Sequence, residues 1–397
     1  DIGQATLDDE ELTGRLGPII TQTELRTRQL FDALPITRGR KGRTPLPPEA
    51  IGPELHQRWE SLDQELCLLE AALSDAKRED LGQLSRRAAS IIVELAFVLH
   101  QPQRAGILGE VESQLDHARV LTKDDDLYYA EPDESARPLV PFVRYVEFSA
   151  RTRKVSARPL EVAPLMRWVL AARPALYVSA TLAVDQSFEA YRQRIGLDDG
   201  DEVLVTSPFN YAEQTRLYLP DDLPEPNSPD FEEAAIDRAS DLISASGGGA
   251  FVLCTSYRML QAMKRKLQAL TGLRILSQGD APRSQLLRMF REDGHAVLVA
   301  TLSFWQGVDV PGSALRLVVI DKIPFASPGD PLVEARIALI RSRGGSPFSQ
   351  YQLPHAAILL RQGFGRLIRR KTDSGMVSIL DPRMTRKGYG RVLLRSL

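Results

Sequence analysis

The sequence predicts an α/β protein: a parallel sheet covered by helices on both faces, preceded by a mainly helical domain. From about Val203 onward, short apolar segments alternate strictly with helical stretches, and neighbouring parallel strands need a crossover that is usually a helix. Ahead of residue 145 the apolar residues recur instead at spacings of three and four, the period of one helix face. The chain has 397 residues, more than one hydrophobic core usually organises, so two or three domains are expected.

Taken in order, Leu62, Leu66, Leu69 and Leu73 form an amphipathic stripe. A second helix is expected over Leu84 to His100, where Ile91, Ile92, Leu95, Val98 and Leu99 repeat at helical spacing before Pro102 stops it. Between these and the N-terminal helical stretch lies Thr37 to Pro48, with Arg38, Arg40, Lys41 and Arg43 ahead of Pro45, Pro47 and Pro48. That composition predicts an exposed loop, a solvated connector in preference to a phosphate contact. At Tyr145 the period shifts to two: Tyr145–Phe148 and Val155–Arg158 flank a polar turn, as in a β-hairpin. Ala175–Val178 is expected as a short strand running into Ser179-Ala-Thr181. Pro220 to Pro229 suggests a linker, and Gly247-Gly-Gly249 a loop. Strands are then expected at Ala250–Leu253, Leu273–Leu276, Ala296–Val299 and Leu315–Ile320, with helices at Arg258–Leu270 and Arg283–Arg291.

Composition narrows the class. With 43% hydrophobic and 26% charged residues the chain has the profile of an ordinary globular protein. Its net charge of -2 excludes neither nucleic acid nor a small substrate, because a local basic groove can exist on a neutral protein. Cys67 and Cys254 are the only cysteines. They form no CxxC pair, zinc knuckle or disulfide framework, which fits a reducing cytoplasm. No apolar run reaches the roughly 18 residues that span a bilayer, and the N-terminus lacks the basic-then-apolar order of a signal peptide. A soluble cytoplasmic protein is expected. The first residue is Asp1, without an initiator Met, so a preceding segment is expected to have been removed.

In open α/β sheets ligands bind at the carboxyl ends of the strands. There this sequence places Cys254-Thr-Ser-Tyr257, Thr301-Leu-Ser and Ser179-Ala-Thr181. Hydroxyls and backbone N–H groups suit phosphate oxygens, although a single Ser or Thr after a strand is more often a helix N-cap. A helix expected from His355 to Arg370 buries Leu360, Phe364, Leu367 and Ile368 and carries Gln362, Arg366 and Arg369 at spacings of four and three along a different face. Arginine there fits either a charge-stabilising finger on a transferring phosphoryl group or a solvated basic face near a helix C-terminus.

In their order and intervals, Ser179-Ala-Thr-Leu182, Phe304-Trp-Gln-Gly-Val-Asp-Val-Pro-Gly312 and Gln362-Gly-Phe-Gly-Arg-Leu-Ile-Arg369 resemble motifs III, V and VI of the DinG/XPD branch of superfamily 2 helicases. Phe251 to Tyr257 resembles motif IV, and Ile323-Pro-Phe with Asp330-Pro-Leu332 resembles the segment after motif V. The resemblance covers about residues 145 to 397. It implies a helical arch-like domain over 1–144, closing strands of a first motor lobe over 145–200, and a second RecA-like lobe over 201–397. It further implies that Gln362, Arg366 and Arg369 face the ATP γ-phosphate, and that Gly307 and Asp309 couple nucleotide to DNA. Ser179 and Thr181 would link hydrolysis to lobe movement, and Thr255, Ser256 and Thr301 would meet the single-strand backbone. Gln306 stands where the family usually has Glu, which puts a charge-dependent role at that position in doubt.

Some family features are missing. There is no G-x-x-x-x-G-K-[ST] loop; Gly39 to Thr44 has glycine and lysine at the wrong spacing. There is no DEAH-type box for magnesium, and two distant cysteines cannot hold the family's four-cysteine iron–sulfur cluster. The expectation is therefore part of an ATP-dependent, 5′-to-3′ DNA helicase acting on single-stranded DNA in repair or replication. ATP, Mg2+ and a 4Fe-4S cluster would belong to the parent protein, whose first motor lobe would partner this chain, itself inactive as an ATPase. The alternatives are a DNA-binding module that has lost its ATPase and a nucleotide-binding α/β metabolic enzyme. The second lacks a Gly-rich fingerprint after any strand.

Overall fold

A computed structural model describes residues 10–35, 42–76, 79–99, 140–149, 152–170, 174–270, 272–301, 304, 310 and 312–397. The chain divides into two compact units, residues 1–173 with 328–336 and residues 174–327 with 337–397.

The first unit contains helices α1 (Glu10–Ala33), α2 (Pro53–Asp75), α3 (Glu79–Leu99) and α4 (Ala163–Leu170), with a small antiparallel sheet. Helix α2 shows how the sequence dictates its packing. Pro53 pre-sets the first turn, and Leu55, Trp59, Leu62, Leu66, Leu69 and Leu73 fall on one face, all buried. Burying each such side chain contributes roughly 1.5–3 kcal/mol, enough to hold a helix whose other face is charged.

Strands β1 (Gly42–Pro45), β2 (Phe142–Phe148) and β3 (Arg153–Pro159) pair antiparallel in that order. The expected hairpin is present, with Tyr145 and Val146 buried at its centre. The expected connector over Thr37–Pro48 is not a loop throughout. Gly42–Pro45 forms β1, where Arg43 lies opposite Glu147 and pairs with it at 2.6 Å. The cross-strand ion pair and the β2 ladder stabilise extended backbone that the prolines alone suggested would be irregular. Arg38, Arg40 and Lys41 lie outside the described residues.

The second unit is built on a six-stranded sheet of β4 (Thr215–Tyr218), β5 (Ala250–Cys254), β6 (Ile275–Ser277), β7 (Val297–Thr301), β8 (Leu317–Ile320) and β9 (Gly375–Ile379). Its order is β4-β9-β8-β5-β7-β6 and every pairing is parallel. Alternate residues of the central strands enter two cores. Phe251, Leu253, Leu298, Ala300, Val318 and Ile320 face one, with Phe290 and Leu360. Val252, Val297, Val299, Leu317 and Val319 face the other, with Ile243, Met263 and Leu267. A sheet buried on both sides needs continuous apolar strands, which is what the sequence supplies.

The helices of this unit are α5 (Glu189–Ile195), α6 (Tyr211–Gln214), α7 (Phe231–Ser246), α8 (Tyr257–Leu270), α9 (Arg283–Asp293), α10 (Pro331–Ser342), α11 (Leu353–Phe364), α12 (Arg383–Arg386) and α13 (Gly390–Arg395). The first residues of α10 cluster with the first unit. Helix α7 ends at Gly247 in a left-handed cap. At Gly248, φ is +81° and a Cβ would lie 1.9 Å from the His295 carbonyl oxygen, so only glycine fits.

One expected strand is absent. Ala175–Val178 has no regular secondary structure and pairs with no described strand, and Leu176 and Val178 are 88% and 83% exposed. A second unpaired apolar stretch, Val203–Val205, is exposed in the same way. Apolar β-prone residues form a strand only where a neighbouring strand supplies hydrogen bonds and cover.

Candidate functional site

Strands β5 and β8 are neighbours, yet the chain leaves them in opposite directions. Helix α8, after β5, packs into one core through Met259, Leu260 and Met263, whereas α11, further along from β8, packs into the other through Leu353, Ala356 and Leu360. Such a switch point opens a crevice at the carboxyl ends of the two strands, where α/β sheets bind ligands.

Thr255 and Asp321 close that crevice. The Thr255 N–H donates to Asp321 Oδ1 at 2.9 Å and its hydroxyl donates to Oδ2 at 3.0 Å. The Lys322 N–H donates to Oδ1 at 2.8 Å. Asp321 is fully buried, and burial pushes its carboxyl up to about 7, against Lys322 and the donors that favour its charged form. One strand further out, the Gln278 side-chain oxygen accepts the Thr301 N–H at 2.8 Å and the Thr301 hydroxyl at 2.9 Å. The Gln278 amide nitrogen donates to the Tyr257 hydroxyl at 3.1 Å. Beyond β9, buried Asp381 accepts the Ile323 N–H and pairs with Arg383.

These bonds sort the three hydroxyls at the strand ends. Thr255 and Thr301 give both backbone and hydroxyl protons to internal acceptors, and so fix the loops they belong to. Ser256 accepts the Met259 N–H at 3.2 Å as the N-cap of α8 and keeps its own hydroxyl proton to donate. A phosphate oxygen is only an acceptor, so Ser256 is the residue of the three equipped to meet one directly.

The arginine segment differs from its expected form. Helix α11 ends at Phe364, not Arg370. Gly363 and Gly365 weaken the helix there, and the chain tightens so that the Arg366 N–H meets the Gly363 carbonyl at 3.1 Å. Asp373 then accepts the N–H groups of Arg369 and Arg370 on one oxygen at 2.9 and 2.8 Å. Gln214 braces the same loop by donating to the carbonyls of Arg370, Lys371 and Asp373. Gln362 therefore lies on α11, Arg366 in the turn after it, and Arg369 in a loop held by a buried carboxylate. The apolar stripe is as expected, with Leu360, Phe364, Leu367 and Ile368 all buried.

Ser179 is exposed, and its hydroxyl lies 3.2 Å from that of Thr181. The chain just beyond is fastened to the arginine segment's own helix. Arg361, next to Gln362, donates to the Ala183 carbonyl at 3.2 Å. Further along, the Asp185 N–H donates to the Ser396 hydroxyl and its carboxylate pairs with Arg395 at 2.9 Å. Gly307 and Asp309 lie outside the described residues.

Cys254 is buried at the end of β5 and Cys67 is exposed on α2. Among the described residues no group of three His, Cys, Asp or Glu side chains could hold a metal ion. No described helix is long and apolar enough to cross a membrane.

Sequence reasoning overlooked Asp321, Gln278 and Asp373. The first had a signal: it directly follows the expected strand Leu315–Ile320, the position where strand-end residues gather. Gln278 and Asp373 act through pairings that sequence spacing does not reveal.

Residues 239–397 match the helicase C-terminal domain family. The chain is 41% identical over 261 residues to the ATP-dependent DNA helicase YoaA of Haemophilus influenzae, covering 65% of this chain and 41% of that protein. It is 40% identical to YoaA of Escherichia coli, covering 64% and 40%, and 41% identical to the ATP-dependent helicase DinG of Mycobacterium tuberculosis, covering 60% and 37%. The chain thus spans about two fifths of the length of these relatives. Among solved structures, one titled XPD_Helicase aligns with a TM-score of 0.57 at 13% identity, covering 96% of this chain and 62% of that one. A second, titled XPD_APO, aligns at 0.54 and 12% identity, covering 97% and 67%.

Proposed function

We propose that the chain, which resembles a C-terminal portion of DinG/XPD-type superfamily 2 helicases, supplies the DNA-gripping and γ-phosphate-sensing half of an ATP-driven motor that travels 5′ to 3′ on single-stranded DNA and separates duplexes. The observation that carries the DNA part is the sorting of hydroxyls at the strand ends. Ser256 donates to a backbone phosphate, while Asp321 and Gln278 hold Thr255 and Thr301 so that the loops keep their shape. Contacts of this kind position a strand without reading its sequence.

On the nucleotide side, Arg366 and Arg369 stabilise charge on the γ-phosphoryl group as its bond breaks, and Gln362 orients from the end of α11. The Arg361–Ala183 bond ties this helix to the segment that follows Ser179 and Thr181, so a shift at the phosphate is transmitted there. Gly307 and Asp309 couple the same event to DNA. The unpaired apolar segments Ala175–Val178 and Val203–Val205 find their sheet partners in the first motor lobe, which also supplies the phosphate loop. Residues 1–144 correspond to the arch and residues 145–200 to the closing strands of the first motor lobe. ATP and Mg2+ act at the interlobe cleft, and the 4Fe-4S cluster belongs to the parent protein outside this chain.

Single-strand binding by this chain at increasing salt tests the DNA reading. Affinity should be weak, indifferent to sequence, and fall steeply with salt as counterion release becomes less favourable. Ser256→Ala should lower it more than Ser256→Thr. Absence of binding at low ionic strength by the folded chain contradicts the reading.

A further inference from the structure

Beside Ser256, at the first position of α8, the Tyr257 side chain stands 63% exposed although it is a large aromatic. An exposed ring on a helix ordinarily moves among rotamers. This one is held at its far end, because the Gln278 amide nitrogen donates to its hydroxyl at 3.1 Å. Gln278 is itself fixed from the other side, where its oxygen takes both the N–H and the hydroxyl proton of Thr301. An amide with both ends engaged cannot flip without losing bonds at β7 or at the ring. The result is a preorganised aromatic surface one residue from the hydroxyl that can meet a phosphate.

We propose that Tyr257 is a stacking platform for one base of the bound single strand, and that Gln278 is the residue that positions it. The inference rests on the DNA reading above and adds a contact to the base where that reading has only contacts to the backbone. A π-face accepts any base, so the platform raises affinity without imposing sequence. Its location fits: a strand whose phosphate sits on Ser256 places the attached nucleoside within reach of the next side chain along the helix. Holding the ring in advance removes the rotamer entropy that binding would otherwise cost.

Stacking and phosphate contact are separated by comparing oligothymidylate with an abasic strand of the same length and charge. Anisotropy titrations of this chain should show oligothymidylate favoured by about 5- to 150-fold, the range of one stacked base. Tyr257→Phe keeps the ring but loses the hydroxyl that Gln278 holds, so it should reduce the preference to the same extent as Gln278→Ala, whereas Tyr257→Ala and the size-conserving Tyr257→Leu should abolish the preference. Gln278→Ala should reduce it while the tyrosine is still present. In every variant the slope of log affinity against log salt should match wild type, because no phosphate contact is removed. Equal wild-type binding of both strands, or a full preference in Tyr257→Leu, overturns the platform and leaves the DNA reading standing. Failure of the folded chain to bind either strand at low salt overturns the DNA reading and the platform with it.

Discussion

Thr255 and Asp321 are joined twice, the threonine N–H and hydroxyl each donating to a different oxygen of one buried carboxylate, at 2.9 and 3.0 Å. This link bridges the ends of β5 and β8, the two strands between which the chain reverses its direction of travel across the sheet. It therefore sets the shape of the crevice on which the DNA proposal depends.

The same carboxylate gives the fold a pH dependence. Burial raises Asp321 from 3.8 to about 7, while in the unfolded chain it ionises near its ordinary value. Between about pH 4 and pH 7 unfolding therefore releases a proton, and the Asp321 contribution to stability falls as pH rises through that window, then levels off. Asp321→Asn removes the titrating group. Thermal melts should show wild type losing ground relative to this variant from pH 5 to pH 8; a difference that stays constant with pH contradicts the assignment.

The loop that carries Arg369 is expected to depend on Asp373. Asp373→Ala strips the acceptor from two backbone N–H groups, a loss of about 1–3 kcal/mol for each group left without a partner. Denaturant midpoints should fall accordingly. A variant as stable as wild type would show that the loop holds its form by other means.

Phe364 is expected to matter to the core. It is buried at the end of α11, its ring 5.5 Å from that of Tyr211. Phe364→Ala should cost about 3–5 kcal/mol, read by urea unfolding. A cost below about 1 kcal/mol would mean that the site collapses around the missing ring.

The lobe's architecture was legible because its central strands are short, almost entirely apolar and separated by helix-length segments, as at Val297–Thr301 and Leu317–Ile320. Edge strands were harder. Thr215–Tyr218 contains Thr and Arg and owes its place to the β9 ladder. Gly42–Pro45 looked like a loop because its partner lies about a hundred residues away in sequence. Ala175–Val178 failed in the opposite sense, with strand-like composition and no strand beside it among the described residues. At the site, residue types pointed to the strand ends, but the direction of each hydrogen bond did not show in the sequence. Those directions are what separate Ser256 from Thr255 and Thr301.

This chain by itself should not turn over ATP. In the proposed reading the phosphate loop that cradles the triphosphate lies in the first motor lobe, and this sequence contains no G-x-x-x-x-G-K-[ST] run. A coupled assay with single-stranded DNA should read background. Steady turnover by the purified chain, lost in Arg366→Ala, would contradict this division of labour.

The central claim is that the turn after α11 serves phosphoryl transfer and not stability alone. Its most direct test is DNA-stimulated ATP hydrolysis by the complete helicase carrying Arg366→Ala, measured beside its thermal melt. Hydrolysis is expected to fall on the order of 10³-fold or more, with the melting temperature and single-strand affinity close to wild type. Wild-type hydrolysis by a variant that melts far below the parent would contradict the claim and make Arg366 a structural residue.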